Sequence, residues 1–216
     1  MAKYVSSVWG MDSVEDVLSR LKKYSEELGL DLTKPEDRFL WFLASILFAK
    51  RISAEIAKRT FNRFLDEGLT SPDAIIEAGW DRIVNILDSG GYVRYDFSTA
   101  TNLLETMKKL RKKYGDIDGI HRAAKDPKDL ERRLLEFRGV GPVCVNIFLR
   151  ELRGIWRKAK PKPSRIGLIM AERLGIRDVE KYESQLVRLY IEYCKKKKCD
   201  VCPVNRFCRE KQEGSK

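Results

Sequence analysis

Apolar and polar positions repeat with a helical period along nearly the whole chain, and strand-like alternation is scarce. Ser13 is placed to cap a first helix running to about Leu28, with Val14, Val17, Leu18 and Leu21 on one face. Thr33 and Glu36 have capping-box spacing around Pro35 and open an apolar helix that ends near Arg51, with Trp41 and Phe42 in the core. Ser53 caps another helix, turns Ile56, Phe61, Phe64 and Leu65 inward, and stops at Gly68. Ser71-Pro72 opens a short helix closed by Gly79, and Trp80 to Leu87 makes one more before Gly90-Gly91. Residues 97 to 114 form a long helix ended by Gly115, and Asp126-Pro127 starts the next, which runs to Phe137. His121 falls between these two as an exposed residue of a polar connection, and Trp156 reads as either a pocket wall or a packing contact. The pattern predicts an all-α globule.

Leu135 to Leu152 contains two apolar helical stretches separated only by Arg138-Gly139-Val140-Gly141. The glycines permit a very tight turn, and Pro142 suits the first helical position, where its missing N–H costs nothing. Such a hairpin leaves backbone N–H groups at a helix N-terminus facing outward, a site suited to a phosphate oxygen. Bound in that way, DNA is held without its bases being read.

Five cysteines are present, and Cys194, Cys199, Cys202 and Cys208 fall within the last 23 residues as C-x4-C-x2-C-x5-C. In a reducing compartment, and with near neighbours too close to pair without strain, a metal is the better account than disulfides. Zinc or a [4Fe-4S] cluster satisfies four thiolates; gathering all four in one short loop, rather than in two separated knuckles, favours iron-sulfur. Cys144 sits in an apolar segment and reads as an ordinary buried thiol.

At 216 residues, 43% hydrophobic and 10% aromatic, the chain is large and apolar enough to bury a core, which excludes a solvated polymer. Its longest nearly apolar run, Phe39 to Ala49, is too short for a bilayer, which takes about 20 residues. The N-terminal MAKYVSSVWGMDS lacks the features of a secretion signal, so a soluble, cytoplasmic, DNA-associated monomer without membrane contact is expected. Lysine and arginine number 43 against 32 acids, a net charge of +11 that suits a polyanionic partner. Only two glutamines accompany 35% charged residues, a composition that suits a heat-adapted source.

An all-α body, a G-V-G hairpin, about fifty further residues and four clustered cysteines together resemble the helix-hairpin-helix DNA glycosylase superfamily, closest to its endonuclease III branch. The resemblance spans most of residues 34 to 208. Phe137-Arg138-Gly139-Val140-Gly141 stands where that family reads L-P-G-V-G, and Asn146 matches its A-N pair. The last two cysteine intervals match the family's C-x6-C-x2-C-x5-C, while the first is two residues shorter. The resemblance implies a six-helix barrel over 34–153 carrying the hairpin at about 128–152. A second, cluster-bearing lobe would come from 1–33 and 154–216, and a damaged or mispaired base of duplex DNA would be flipped out between them. It also implies DNA contact by Arg138, Gly139, Val140 and Gly141 and by Lys195, Lys196, Lys197 and Lys198, the lysine run inside the first cysteine interval.

The usual catalytic set is absent. Strand-cleaving members carry a lysine two residues after the second hairpin glycine, and that position is Val143. The family's aspartate, about twenty residues beyond the hairpin, aligns with Pro163 in Lys160-Pro161-Lys162-Pro163-Ser164-Arg165. Substitutes would be Asp96, in the turn after Gly90-Gly91, and Lys160 or Lys162, held stiffly by flanking prolines. A base-excision glycosylase with abasic-site lyase activity is thus one reading. A non-catalytic protein that recognises damaged or bent DNA is a second, and an iron-sulfur protein of other function a third.

Overall fold

The computed structural model describes residues 12–209; the N-terminal segment without secretion-signal features lies almost wholly outside them. The described residues are helical with no strand among them, so the all-α expectation holds. The chain divides into two compact units, Lys23–Pro163 and the combination of Met1–Lys22 with Ser164–Lys216.

In the larger unit the helices in chain order are Tyr24–Glu27, Pro35–Phe48, Ala54–Asp66, Pro72–Gly90, Asp96–Tyr114, Ile117–Ala123, Pro127–Leu135 and Pro142–Glu151, here α2 to α9. Helix α3 is apolar all round, with Phe39 to Leu47 buried without a break, and so becomes the central strut. It packs against α9, where the Trp41 indole Nε1 donates to the Phe148 carbonyl (3.2 Å) and Phe42 meets Phe148 edge to face. Helices α5 and α6 form an antiparallel pair, and Gly79, at φ 74° and ψ 176°, leaves helical geometry and divides α5 into the two helices that the sequence suggested.

Several boundaries differ from the sequence reading. The helix expected to run from Ser13 to Leu28 is two: α1 (Val14–Arg20), in the other unit, and α2, which Glu26 opens by accepting from the Lys23 N–H. Thr33 does not cap α3; its hydroxyl and N–H both donate to Asp31, and Lys34 holds the cap position before Pro35. His121 is not in a polar connection but on α7, stacked on Trp156 (centroids 4.8 Å apart, 7° between planes). That face is fixed by Asp118, which accepts from Arg38 (2.7 and 2.8 Å) and from the Trp156 indole (3.0 Å).

The smaller unit consists of α1, then Arg165–Leu174 (α10) and Val179–Leu189 (α11), followed by the cysteine segment. Its own core gathers Leu18, Met170, Leu174, Leu186, Leu189 and Val204.

Candidate nucleic-acid interface and thiol loop

The hairpin joins α8 to α9 through Arg138–Gly141. Gly139 takes φ 79°, a left-handed conformation costly for other residues, and a Cβ there would lie 2.6 Å from the Asn102 amide nitrogen. Gly141 differs: at φ −102° it is the N-cap of α9, no side chain caps that helix, and a Cβ on it would meet nothing within 4 Å. The end of α9 therefore opens outward, with the partial positive charge of a helix N-terminus. Arg138 pairs with Glu105 on α6 (2.7 Å) in an exposed bridge, and its carbonyl accepts from Thr106, which pins the turn to α6. Val140 is buried and anchors the turn from below. Val143, at the position of the family's lysine, is 62% exposed.

The outer faces of α8 and α9, with the extended 160–162 segment, border a half-open cavity of about 840 Å³. Helix α8 supplies Pro127, Lys128, Glu131 and Leu135; α9 supplies Pro142, Val145 and Asn146; Lys160, Pro161 and Lys162 close the side. The extended segment is held at its backbone: the Asn146 amide donates to the Lys162 carbonyl (3.1 Å) and Arg153 to that of Pro161 (2.7 Å). Pro161 is buried while Lys160 and Lys162 are exposed, as the two-residue period of an extended chain dictates. Both lysines thus reach one space.

Asp96 does not line this cavity. It is the first residue of α6, where its carboxylate accepts from the Phe97 N–H (2.7 Å); its hydrogen bond with Asp88 is the main cause that raises the Asp88 carboxyl above its ordinary value. Sequence reasoning also passed over Glu131 and Lys128, which line the cavity, and Lys50, whose charge reaches the Cys144 thiol on α9. Burial nevertheless pushes that thiol up to about 12, so Cys144 stays protonated and inert, as its apolar setting suggested.

In the smaller unit, a π-helical turn over Tyr190–Cys194 leads into the lysine run. Lys195 to Lys198 are all exposed, and Lys197 adopts φ 53° where the backbone folds back so that the N–H groups of Lys196 and Lys198 both donate to the Tyr193 carbonyl. Cys194, Cys202 and Cys208 lie half-buried against the second core, Cys199 is exposed, and the Cys194 sulfur is 3.8 Å from that of Met170. Burial first, and then the neighbouring cysteines, raise the Cys194 and Cys202 thiols. Among the described residues no three His, Cys, Asp or Glu side chains gather closely enough to hold a single ion. Four thiols within one short segment are a donor set whose chemistry suits a metal ion or an iron-sulfur group.

The chain is similar to a Methanocaldococcus jannaschii protein named "Putative DNA repair glycosylase MJ1434", at 26% identity over 197 residues, 82% of this chain and 87% of the relative. No family model matches the chain. Among the described residues no helix is long and apolar enough to cross a membrane.

Proposed function

We propose that this chain is a DNA repair glycosylase that grips duplex DNA through the hairpin and admits a flipped, damaged or mispaired nucleotide. The observation that carries this reading is the joining of an uncapped α9 N-terminus to a half-open cavity, roomy enough to admit a nucleotide and lined by three lysines. The named relative, matched over most of both chains, supports the same role. Gly139 shapes the turn, and the amides at Gly141 and beyond take a phosphate oxygen, with Arg138 adding a charge once it leaves Glu105; an exposed pair of this kind holds by only about 0–1 kcal/mol. Lys195 to Lys198 add phosphate contacts from the cysteine loop. Cys194, Cys199, Cys202 and Cys208 would hold the [4Fe-4S] group, which when bound supplies a cross-link that closes and stiffens that loop.

Excision of a base leaves a sugar aldehyde, and an amine close to it forms an imine. With Val143 in place of the usual lysine, Lys160 or Lys162, stiffened by the flanking prolines, is the amine proposed to react, with Lys128 the third amine of the lining. Borohydride added to the protein with an abasic-site duplex should trap a covalent adduct, and peptide mapping should locate it at one of these two residues. Binding of the duplex with neither adduct nor base release would replace this reading with that of a non-catalytic damage-recognition protein.

A further inference from the structure

Helix α8 sorts its acids by face. Asp129 is held by Arg133 (2.8 Å), Arg132 and the Lys125 N–H, and these drive its carboxyl far below the ordinary range. Glu136 is taken by Lys113, Lys109 and Arg132. Glu131 lies on the other side of the helix, one turn from Lys128 and one from Leu135, and these three line the cavity together. Among the described residues Glu131, half-buried, makes no hydrogen bond or ion pair. The other carboxylate at the cavity, Asp126, is occupied as the N-cap of α8, where it accepts from the Asp129 N–H (2.9 Å).

Beside a polyanion, a carboxylate without a partner repels the ligand. Chemistry is what such a group can supply in return. We infer that Glu131 is the general acid–base of the cavity, acting on the Lys160 or Lys162 amine and the aldehyde carbon of an abasic deoxyribose. This role rests on the lysine–imine reading of the cavity. The Glu131 carboxylate takes a proton from the lysine ammonium, and the freed amine adds to C1′ to give a carbinolamine. Glu131 then returns the proton to the departing hydroxyl, which leaves as water while the nitrogen lone pair forms the C=N bond. No oxidant or further reactant is needed. Leu135, Pro142 and Val145 give the sugar an apolar wall, and Lys128 faces its phosphate.

Glu131→Gln keeps shape and removes only the charge, so it separates this role from a structural one. On the full chain, the rate of borohydride-trapped adduct on a natural abasic duplex should fall about 100-fold or more, the range of general acid–base catalysis. Affinity for a duplex carrying the unreactive tetrahydrofuran analogue should stay the same or tighten a few-fold, because a like charge has been removed. Glu131→Asp should recover part of the rate, and circular dichroism should be unchanged for both variants. An adduct rate in Glu131→Gln close to that of wild type would overturn the inference and leave the lysine reading standing, as would rate and affinity falling together. A wild-type protein that binds the abasic duplex but forms no adduct would overturn both.

Discussion

Replacing Gly141 by Asp puts an anion where the hairpin is expected to meet a phosphate, and the structure separates this change from a folding defect. At φ −102° the backbone accepts any residue, and the new Cβ meets nothing within 4 Å, so the fold should lose about 0.5 kcal/mol or less. The carboxylate would stand near the phosphate it displaces; two unit charges about 4 Å apart repel by about 1 kcal/mol in water and about 4 kcal/mol near a protein surface. Affinity should therefore fall between about 5-fold and 1000-fold, and the slope of log affinity against log salt should shrink by about 0.9, the share of a single neutralised phosphate. For a hairpin that meets the DNA backbone rather than its bases, the loss should be equal for every duplex sequence. The neighbouring Gly139→Asp is the contrast: its φ of 79° and the Asn102 side chain 2.6 Å from the added Cβ predict a stability loss of about 2 kcal/mol or more. Fluorescence anisotropy on several unrelated duplexes, paired with thermal melts, reads both effects. Wild-type affinity in Gly141→Asp, or a loss confined to one sequence, would refute the phosphate grip.

Three other outcomes are expected. Replacing Lys195, Lys196, Lys197 and Lys198 together by serine should weaken binding and flatten its salt dependence by about 0.9 for each phosphate no longer neutralised, as titrations at several salt concentrations would show; an unchanged slope would mean the loop does not touch DNA. Anaerobically prepared protein should be yellow-brown and contain iron, and stoichiometric zinc without iron would replace the cluster. Burial first, and the nearby Lys158 charge second, hold His121 below its ordinary value, so the unfolded chain binds this proton more readily; the contribution of the stacked neutral ring is present above about pH 6.5 and is lost as pH falls toward the folded value. Denaturant melts of His121→Phe should show a flatter stability profile between about pH 5 and 7.

Much of the larger unit was legible because its signals are local. Ser53, Ser71 and Asp126 each cap the helix that their spacing announced, and Trp41 and Phe42 are wholly buried. Local signals failed where a competing partner lay within a few residues. Asp31 captured Thr33, and Glu26 opened a new turn at Lys23 inside what looked like one continuous helix. Helix α7 was missed because its Asp116 cap and short apolar face read as a polar connection. The cavity was harder still. Lys160 and Lys162 stood out by their prolines, but Glu131 is one of several acids along α8 and its end, and only the ion pairs made by Asp129 and Glu136 reveal which is left over. Asp96, the substitute acid that the sequence offered beside a helix-capping role, stands at the start of α6 and is engaged with Asp88.

The proposed function turns on whether this molecule alters DNA. Single-turnover incubation of the full chain with oxidised, alkylated, deaminated, mismatched and abasic duplexes, followed by hot alkali and denaturing electrophoresis, tests that directly. A glycosylase built on this cavity should give alkali-labile or cut strands for at least one base lesion, and strand cleavage at the abasic site that fails in the Lys160→Gln, Lys162→Gln double variant. A panel in which every duplex is bound and none is altered would contradict it.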